Sequence, residues 1–240
     1  MIHYHGTPIG GKPVEKAIFF TGKHCLVSYF YQDDLPLVAE CCQSFVFDSG
    51  AFSVWKKGGT LDLEGYLDFC IQYQKHPGLD WVLIPDVIDG SEIENDIHVD
   101  MWEGRYPTEM SVPVWHVHES LERLTDLAKA FPRVALGSSG KFSSPGSKVW
   151  WARMNDVMAH ITDEHGRPMC KLHGLRMLDP KVFSRLPLAS ADSVNAAMNS
   201  GAKDRFGMYV PPSRAQRAQV IAARIEQYNS AATWEPECTQ

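Results

Sequence analysis

The chain has 240 residues, 44% of them hydrophobic and 22% charged, with a formal net charge of −6. That length suits one large domain and buries roughly 70–75% of the unfolded surface, so no disulfide or metal staple is needed. No run of about 18 apolar residues is present, which excludes a membrane-spanning helix. The acidic balance argues against a protein that coats nucleic acid non-specifically.

In chain order, short runs rich in β-branched and aromatic residues predict strands at Ile2–His5, Cys25–Phe30, Phe45–Asp48, Trp81–Asp86, Val112–His118, Val134–Gly137, Lys171–Arg176 and Leu188–Asp192. Apolar stripes at helical spacing lie between them. Leu63, Leu67, Cys70 and Ile71 form one; Leu121, Leu124, Ala128 and Phe131 another; Trp150, Met154, Val157 and Ile161 a third. Shorter helical pieces are expected around Val14–Phe20 and Lys181–Leu186, and a last amphipathic helix carries Ala218, Ile221, Ala222 and Ile225 after Pro211-Pro212. Eight strands alternating with helices predict an α/β fold, a (βα)8 TIM-like barrel over residues 1–210, with a C-terminal appended helix and tail over 211–240. An open doubly wound sheet is the competitor, but Gly6-Thr7-Pro8-Ile9-Gly10-Gly11 is not G-x-G-x-x-G.

Six cysteines (Cys25, Cys41, Cys42, Cys70, Cys170 and Cys238) show no CxxC spacing, which predicts reduced thiols and no structural zinc. The opening Met1-Ile2-His3-Tyr4-His5-Gly6 lacks a signal-peptide pattern, so a cytoplasmic location is expected.

In a barrel, catalytic groups stand at the C-terminal ends of the strands. Here these ends carry His5, Asp48, Asp86, His116 with His118, Gly137-Ser138-Ser139, His173-Gly174 and Asp192. An aspartate after a strand is often only a helix cap, but so many titratable strand ends call for another explanation. Carboxylates that share a dry cavity push their pKa values apart, so one serves as an acid while another stays ionised, as cleavage of a glycosidic bond requires. A rival reading is a metal-dependent hydrolase of amidohydrolase type. It rests on His3 and His5 spaced i, i+2, with His116, His118 and His173 as further ligands. A third is a non-catalytic barrel that binds nucleic acid or a partner.

Asp48-Ser49-Gly50-Ala51-Phe52 resembles the Asp-Ser-Gly-Gly-Phe-Gln signature of the tRNA-guanine transglycosylases. The remaining segments (Pro85-Asp86-Val87-Ile88-Asp89-Gly90, Trp115-His116-Val117-His118, Leu136-Gly137-Ser138-Ser139-Gly140, His173-Gly174 and Ser190-Ala191-Asp192) resemble the 7-deazaguanine DNA transglycosylases of phages and genomic islands. The C-terminal zinc site of the tRNA enzymes has no counterpart. The resemblance implies a pentosyltransferase that replaces guanine in DNA, in preference to tRNA, with a 7-deazaguanine through a covalent glycosyl intermediate. On it, Asp192 is the nucleophile and Asp48 the general acid/base. The base is bound by Asp86, Ser49, Gly50, His116, Gly137, Ser138 and His173, and phosphates are contacted by Lys56, Lys57, Arg176, Lys203 and Arg205. Trp55 would stack a base and Lys141 would add charge. No cofactor or metal is implied, and there is room for a second copy of the chain or a partner protein. For a phage-encoded protein the location would be the host cytoplasm.

Overall fold

The computed structural model describes residues 1–236; Cys238 lies outside the described residues. Nine parallel strands run β1 Ile2–Gly6, β2 His24–Ser28, β3 Ser44–Asp48, β4 Leu79–Leu83, β5 Ser111–Val112, β6 Val114–His116, β7 Arg133–Gly137, β8 Lys171–Gly174 and β9 Ser190–Ser193. The helices are α1 Pro13–Phe20, α2 Leu35–Cys41, α3 Ala51–Lys56, α4 Leu63–Tyr73, α5 Glu92–Trp102, α6 Leu121–Ala130, α7 Lys148–Ile161, α8 Pro180–Phe183, α9 Asn195–Asn199 and α10 Arg214–Glu226.

The sheet order is β5-β4-β3-β2-β1-β9-β8-β7-β6. Its two ends are one strand of the chain, broken at Pro113, which has no N–H to give to the ladder. The Pro113 carbonyl still accepts the Ala135 amide at 2.9 Å, so the sheet closes into a barrel of eight staves. Every connection carries helical structure, as parallel neighbours require.

Alternation along the strands sorts the core. Tyr4, Leu26, Val46, Trp81, Leu83, Val112, Val114 and Ala135 fill the barrel interior. The alternate positions, such as Cys25, Val27, Phe45 and Phe47 on one side and Val134, Leu136 and Leu172 on the other, pack under the helices. Strands buried on both faces read as unbroken apolar runs, which is why they were legible in the sequence. Ser91, Ser120, Ser147 and Ser213 cap α5, α6, α7 and α10 by accepting the amide three residues on.

The barrel floor is polar. The Tyr4 hydroxyl donates to Asp80 at 2.6 Å, Ser44 donates to the same carboxylate, and His24 Nδ1 lies 2.7 Å from Ser44 Oγ. The helix after Pro211-Pro212, expected as an appended element packed on the barrel, lies against the barrel wall. Ala215, Ala218 and Ala222 of α10 join one outer core and Ile225 the other. Among the described residues no helix is long and apolar enough to cross a membrane.

Candidate active site at the barrel mouth

Inward-facing positions at the strand ends bring Ser28, Asp48, His116, Gly137 and Asp192 to one rim, with Asp86 on the loop after β4. Asp48 ends β3 beside Ser28 in register. The next turn needs Gly50, whose φ is +79° and whose Cβ, if present, would stand 2.7 Å from the Phe30 Cβ and 2.9 Å from Ser28 Oγ. This tight turn aims the Gly50 amide and the Ser28 hydroxyl at the Asp48 carboxyl. Burial is the largest influence on that carboxyl, and with the negative charge of Asp86 and Asp192 it outweighs these two donors. The Asp48 pKa is pushed up to about 7.

Asp192 is 5% exposed. One of its oxygens accepts the Arg176 amide at 2.9 Å, and His173 Nε2 stands 3.3 Å from the same oxygen. Behind His173 the chain continues: its Nδ1 is 2.9 Å from Ser190 Oγ, which accepts Arg133 Nη1 at 2.8 Å. With one lone pair of Ser190 taken by Arg133, its hydroxyl proton is free to go to Nδ1. His173 Nε2 faces Asp192 without a hydrogen bond to it. Burial lowers the His173 pKa, keeping the ring neutral.

His116 Nε2 lies 2.9 Å from Asp86 Oδ2, off the line of a hydrogen bond, and neither ring nitrogen of His116 has a hydrogen-bond partner. Its backbone is fixed from behind by Glu119, which is fully buried, accepts the His116 amide at 2.9 Å and is bound by Arg123 at 2.7 Å and Asn95 at 3.0 Å. Asn95 in turn accepts the Val87 amide at 2.8 Å, next to Asp86. One buried carboxylate therefore positions both members of the Asp86–His116 pair. Gly137 faces the His116 ring, and a Cβ there would stand 3.0 Å from its Nδ1. Unpaired buried nitrogens at a rim of carboxyls are groups that a bound molecule would satisfy.

An aromatic wall closes one side. The rings of Phe52 and Trp55 of α3 lie 5.7 Å apart and tilted at 36°, and Lys57 Nζ sits 4.4 Å over the Phe30 ring. Arg176 comes from the loop after β8, four staves from β3 around the sheet (β8-β9-β1-β2-β3). Its guanidinium lies 4.5 Å over Phe52 and also donates to the Ser138 carbonyl, so it straps the mouth.

The mouth thus gathers Asp48, Asp86, Asp192, His116, His173, Gly50, Gly137 and Arg176. Ser49 and Ser138 are spent structurally: Ser49 Oγ accepts the Ala51 amide at 3.3 Å, and Ser138 Oγ accepts Trp150 Nε1 at 2.9 Å. Lys56 is exposed on α3, while Lys57 is engaged by aromatic rings. Lys203 and Arg205 lie in a 3-10 turn after β9, where the Arg205 carbonyl takes a bond from Arg224 of α10. Ser28, Phe52, Glu119, Arg133 and Ser190 were missed. Ser190 was findable by its i−2 spacing from Asp192, and Ser28 by ending the second strand two residues earlier.

The metal reading fails on strand alternation. His3 and His5 face the helix layer, where His3 Nε2 lies 2.9 Å from the Tyr228 carbonyl and His5 Nε2 2.8 Å from Glu226. His173 faces the interior, so the three cannot converge. Among the described residues no group of three or more His, Cys, Asp or Glu side chains is arranged to hold a metal ion.

No family model and no curated protein match the chain. Solved structures do, at the level of fold, among them two barrels named as aldolases. One, assigned as a fructose-1,6-biphosphate aldolase from Coccidioides immitis, has a TM-score of 0.58 and 14% identity over 94% of this chain and 88% of that one. The other, the YdjI aldolase from Escherichia coli K12, has a TM-score of 0.53 and 10% identity over 94% and 89%. These findings confirm the TIM-like barrel and overturn the transglycosylase expectation. The resemblance rested on short strand-end segments that no family model supports, and the barrels that align along nearly the whole chain bear the name aldolase. Guanine exchange, the glycosyltransferase class and the phage 7-deazaguanine setting fall with it. The amidohydrolase and non-catalytic readings gain nothing from these matches.

Proposed function

We propose that the chain is an acid–base lyase of aldolase type, which breaks or forms a carbon–carbon bond beside the carbonyl of a small hydroxylated substrate. One observation carries the reading: Asp48 is a rim carboxyl held near pH 7 between two other aspartates. A proton carrier works best with a pKa near the working pH. The bond type is taken from the names of the two solved barrels whose fold the chain shares.

In the cleavage direction, the Asp48 carboxylate takes the proton of the substrate's β-hydroxyl. The oxygen's electrons form the aldehyde C=O as the Cα–Cβ bond breaks, and the released pair moves onto the carbonyl oxygen as an enolate. An N–H of His116, unpartnered in the wall, donates to that oxygen. Asp48, now protonated, returns its proton to Cα. Asp192, held by the Arg176 amide, accepts a hydrogen bond from a further substrate hydroxyl, and Asp86 stands 2.9 Å from His116 Nε2. Three carboxyls at one rim disfavour a substrate that is already anionic, so that part of the substrate binds neutral, and the enolate charge that develops later is met by the His116 N–H.

The test is release of aldehyde from a panel of neutral β-hydroxy ketones, with Asp48→Asn as control. Turnover of at least one member, falling by about 10²–10⁴-fold in Asp48→Asn, is expected. Full activity in the variant, or no turnover across the panel, contradicts the proposal.

A further inference from the structure

Away from the mouth, α5 and α6 are tied along one edge by Asp96 to Arg123 Nε at 2.7 Å and by Glu92 to the Ser120 amide at 2.6 Å. A cavity of about 470 Å³ opens between them. Its floor is apolar, with Trp102, Leu127 and Phe131, and its rim is acidic, with Asp100, Glu103, Glu122 and Asp126. A row of carboxylates on neighbouring helices is by itself only a solvated face. Two buried polar groups in the cavity wall set this one apart. Tyr106 is 4% exposed and its hydroxyl has no hydrogen-bond partner. Arg123 is 6% exposed; Asp96, Glu119 and the Val114 carbonyl engage its Nε and Nη1, but Nη2 has no partner. Buried donors are rarely left unpaired.

We propose that this cavity is a second binding site, for a small organic amine that carries a neutral oxygen. The ammonium meets the acidic rim, the carbon skeleton covers the apolar floor, and the oxygen takes the hydrogen bonds of Tyr106 and Arg123 Nη2. A carboxylate in that place would face the acidic rim, and Arg123 already has Glu119 and Asp96 as counter-charges. A bare cation would leave the apolar floor and both donors unused. The site is separate from the mouth, and its test reads binding rather than turnover.

Isothermal titration of the full chain with tyramine tests it, because tyramine joins an ammonium, a ring and a hydroxyl. Saturable one-to-one binding is expected, weakened by added salt. The affinity should fall by about 2–10-fold in Tyr106→Phe, where only an unpaired hydroxyl is lost and the fold is kept. A comparable fall is expected in Asp126→Asn, at an exposed rim position. 3-(4-Hydroxyphenyl)propionate, with the same ring and hydroxyl but the opposite charge, should not bind. Failure of tyramine to bind, unchanged affinity in both variants, or equal binding of the carboxylate analogue would overturn the proposal.

Discussion

Asp48 occupies a place where ionisation costs the fold. A carboxyl whose pKa rises from 3.8 to about 7 on folding stabilises the native state fully below the unfolded value, and that contribution is lost as the pH climbs through 7. Asp48→Asn, which cannot ionise, is therefore expected to melt higher than wild type at pH 8, by on the order of 1–3 kcal/mol, with the gain shrinking toward pH 4. Melting curves across that range check the sign; a variant less stable at pH 8 contradicts it. Ser190 works from behind the rim. Ser190→Ala leaves His173 Nδ1 and an Arg133 N–H without their partner. A loss of about 1–3 kcal/mol in urea unfolding is expected.

Among the elements, the β3–α3 turn is the most constrained at the mouth. Gly50→Ala puts a Cβ at φ +79° against Phe30 and Ser28, so a loss of roughly 2 kcal/mol or more in chemical denaturation is expected, together with displacement of Asp48. Helix α10 is tied at its far end. Glu226 binds His5 and Lys23, and the His5 hydrogen bond first, then Lys23, hold its carboxyl down to about 2. A depressed carboxylate stabilises above its unfolded pKa and loses that contribution as the pH falls from about 4.5 toward 2. Glu226→Gln should cost about 1–3 kcal/mol at pH 7 and nothing near pH 2; a pH-independent difference contradicts this. The elements were unequally legible in the sequence. Strands buried on both faces announced themselves. So did α6 and α7, and α4 in part: Leu67 and Cys70 of its expected stripe are buried with Tyr66 and Phe69, while Ile71 is exposed. The 11-residue α5 escaped although Ile93, Ile97 and Met101 recur at i, i+4, i+8: that stripe is its exposed face, and its buried residues are Asn95 and Trp102. The outward turn of His3 and His5 was also hidden: an i, i+2 pair shares a face, but only the assembled barrel says which.

At the scale of the whole molecule, the strand-end rule located the mouth and its three aspartates from sequence alone, because a parallel barrel delivers every strand's last inward residue to one rim. It did not identify the reaction. Asp48-Ser49-Gly50 is a strand end followed by a tight turn, and many chemistries share that requirement, so a short signature pointed to a transglycosylase that no family match supports. The polar supports beneath the rim were illegible for another reason: Glu119, Ser190 and Arg133 act through partners 3 to 57 residues away. The central claim is electrostatic: burial first, and then the charges of Asp86 and Asp192 at the same rim, push the Asp48 pKa up to about 7. Carbon-13 NMR titration of the Asp48 carboxyl measures this directly, with Asp86→Asn alongside. A midpoint near pH 7 that falls in Asp86→Asn is the predicted result; an ordinary midpoint of about 3.9, unmoved by that substitution, would contradict the account.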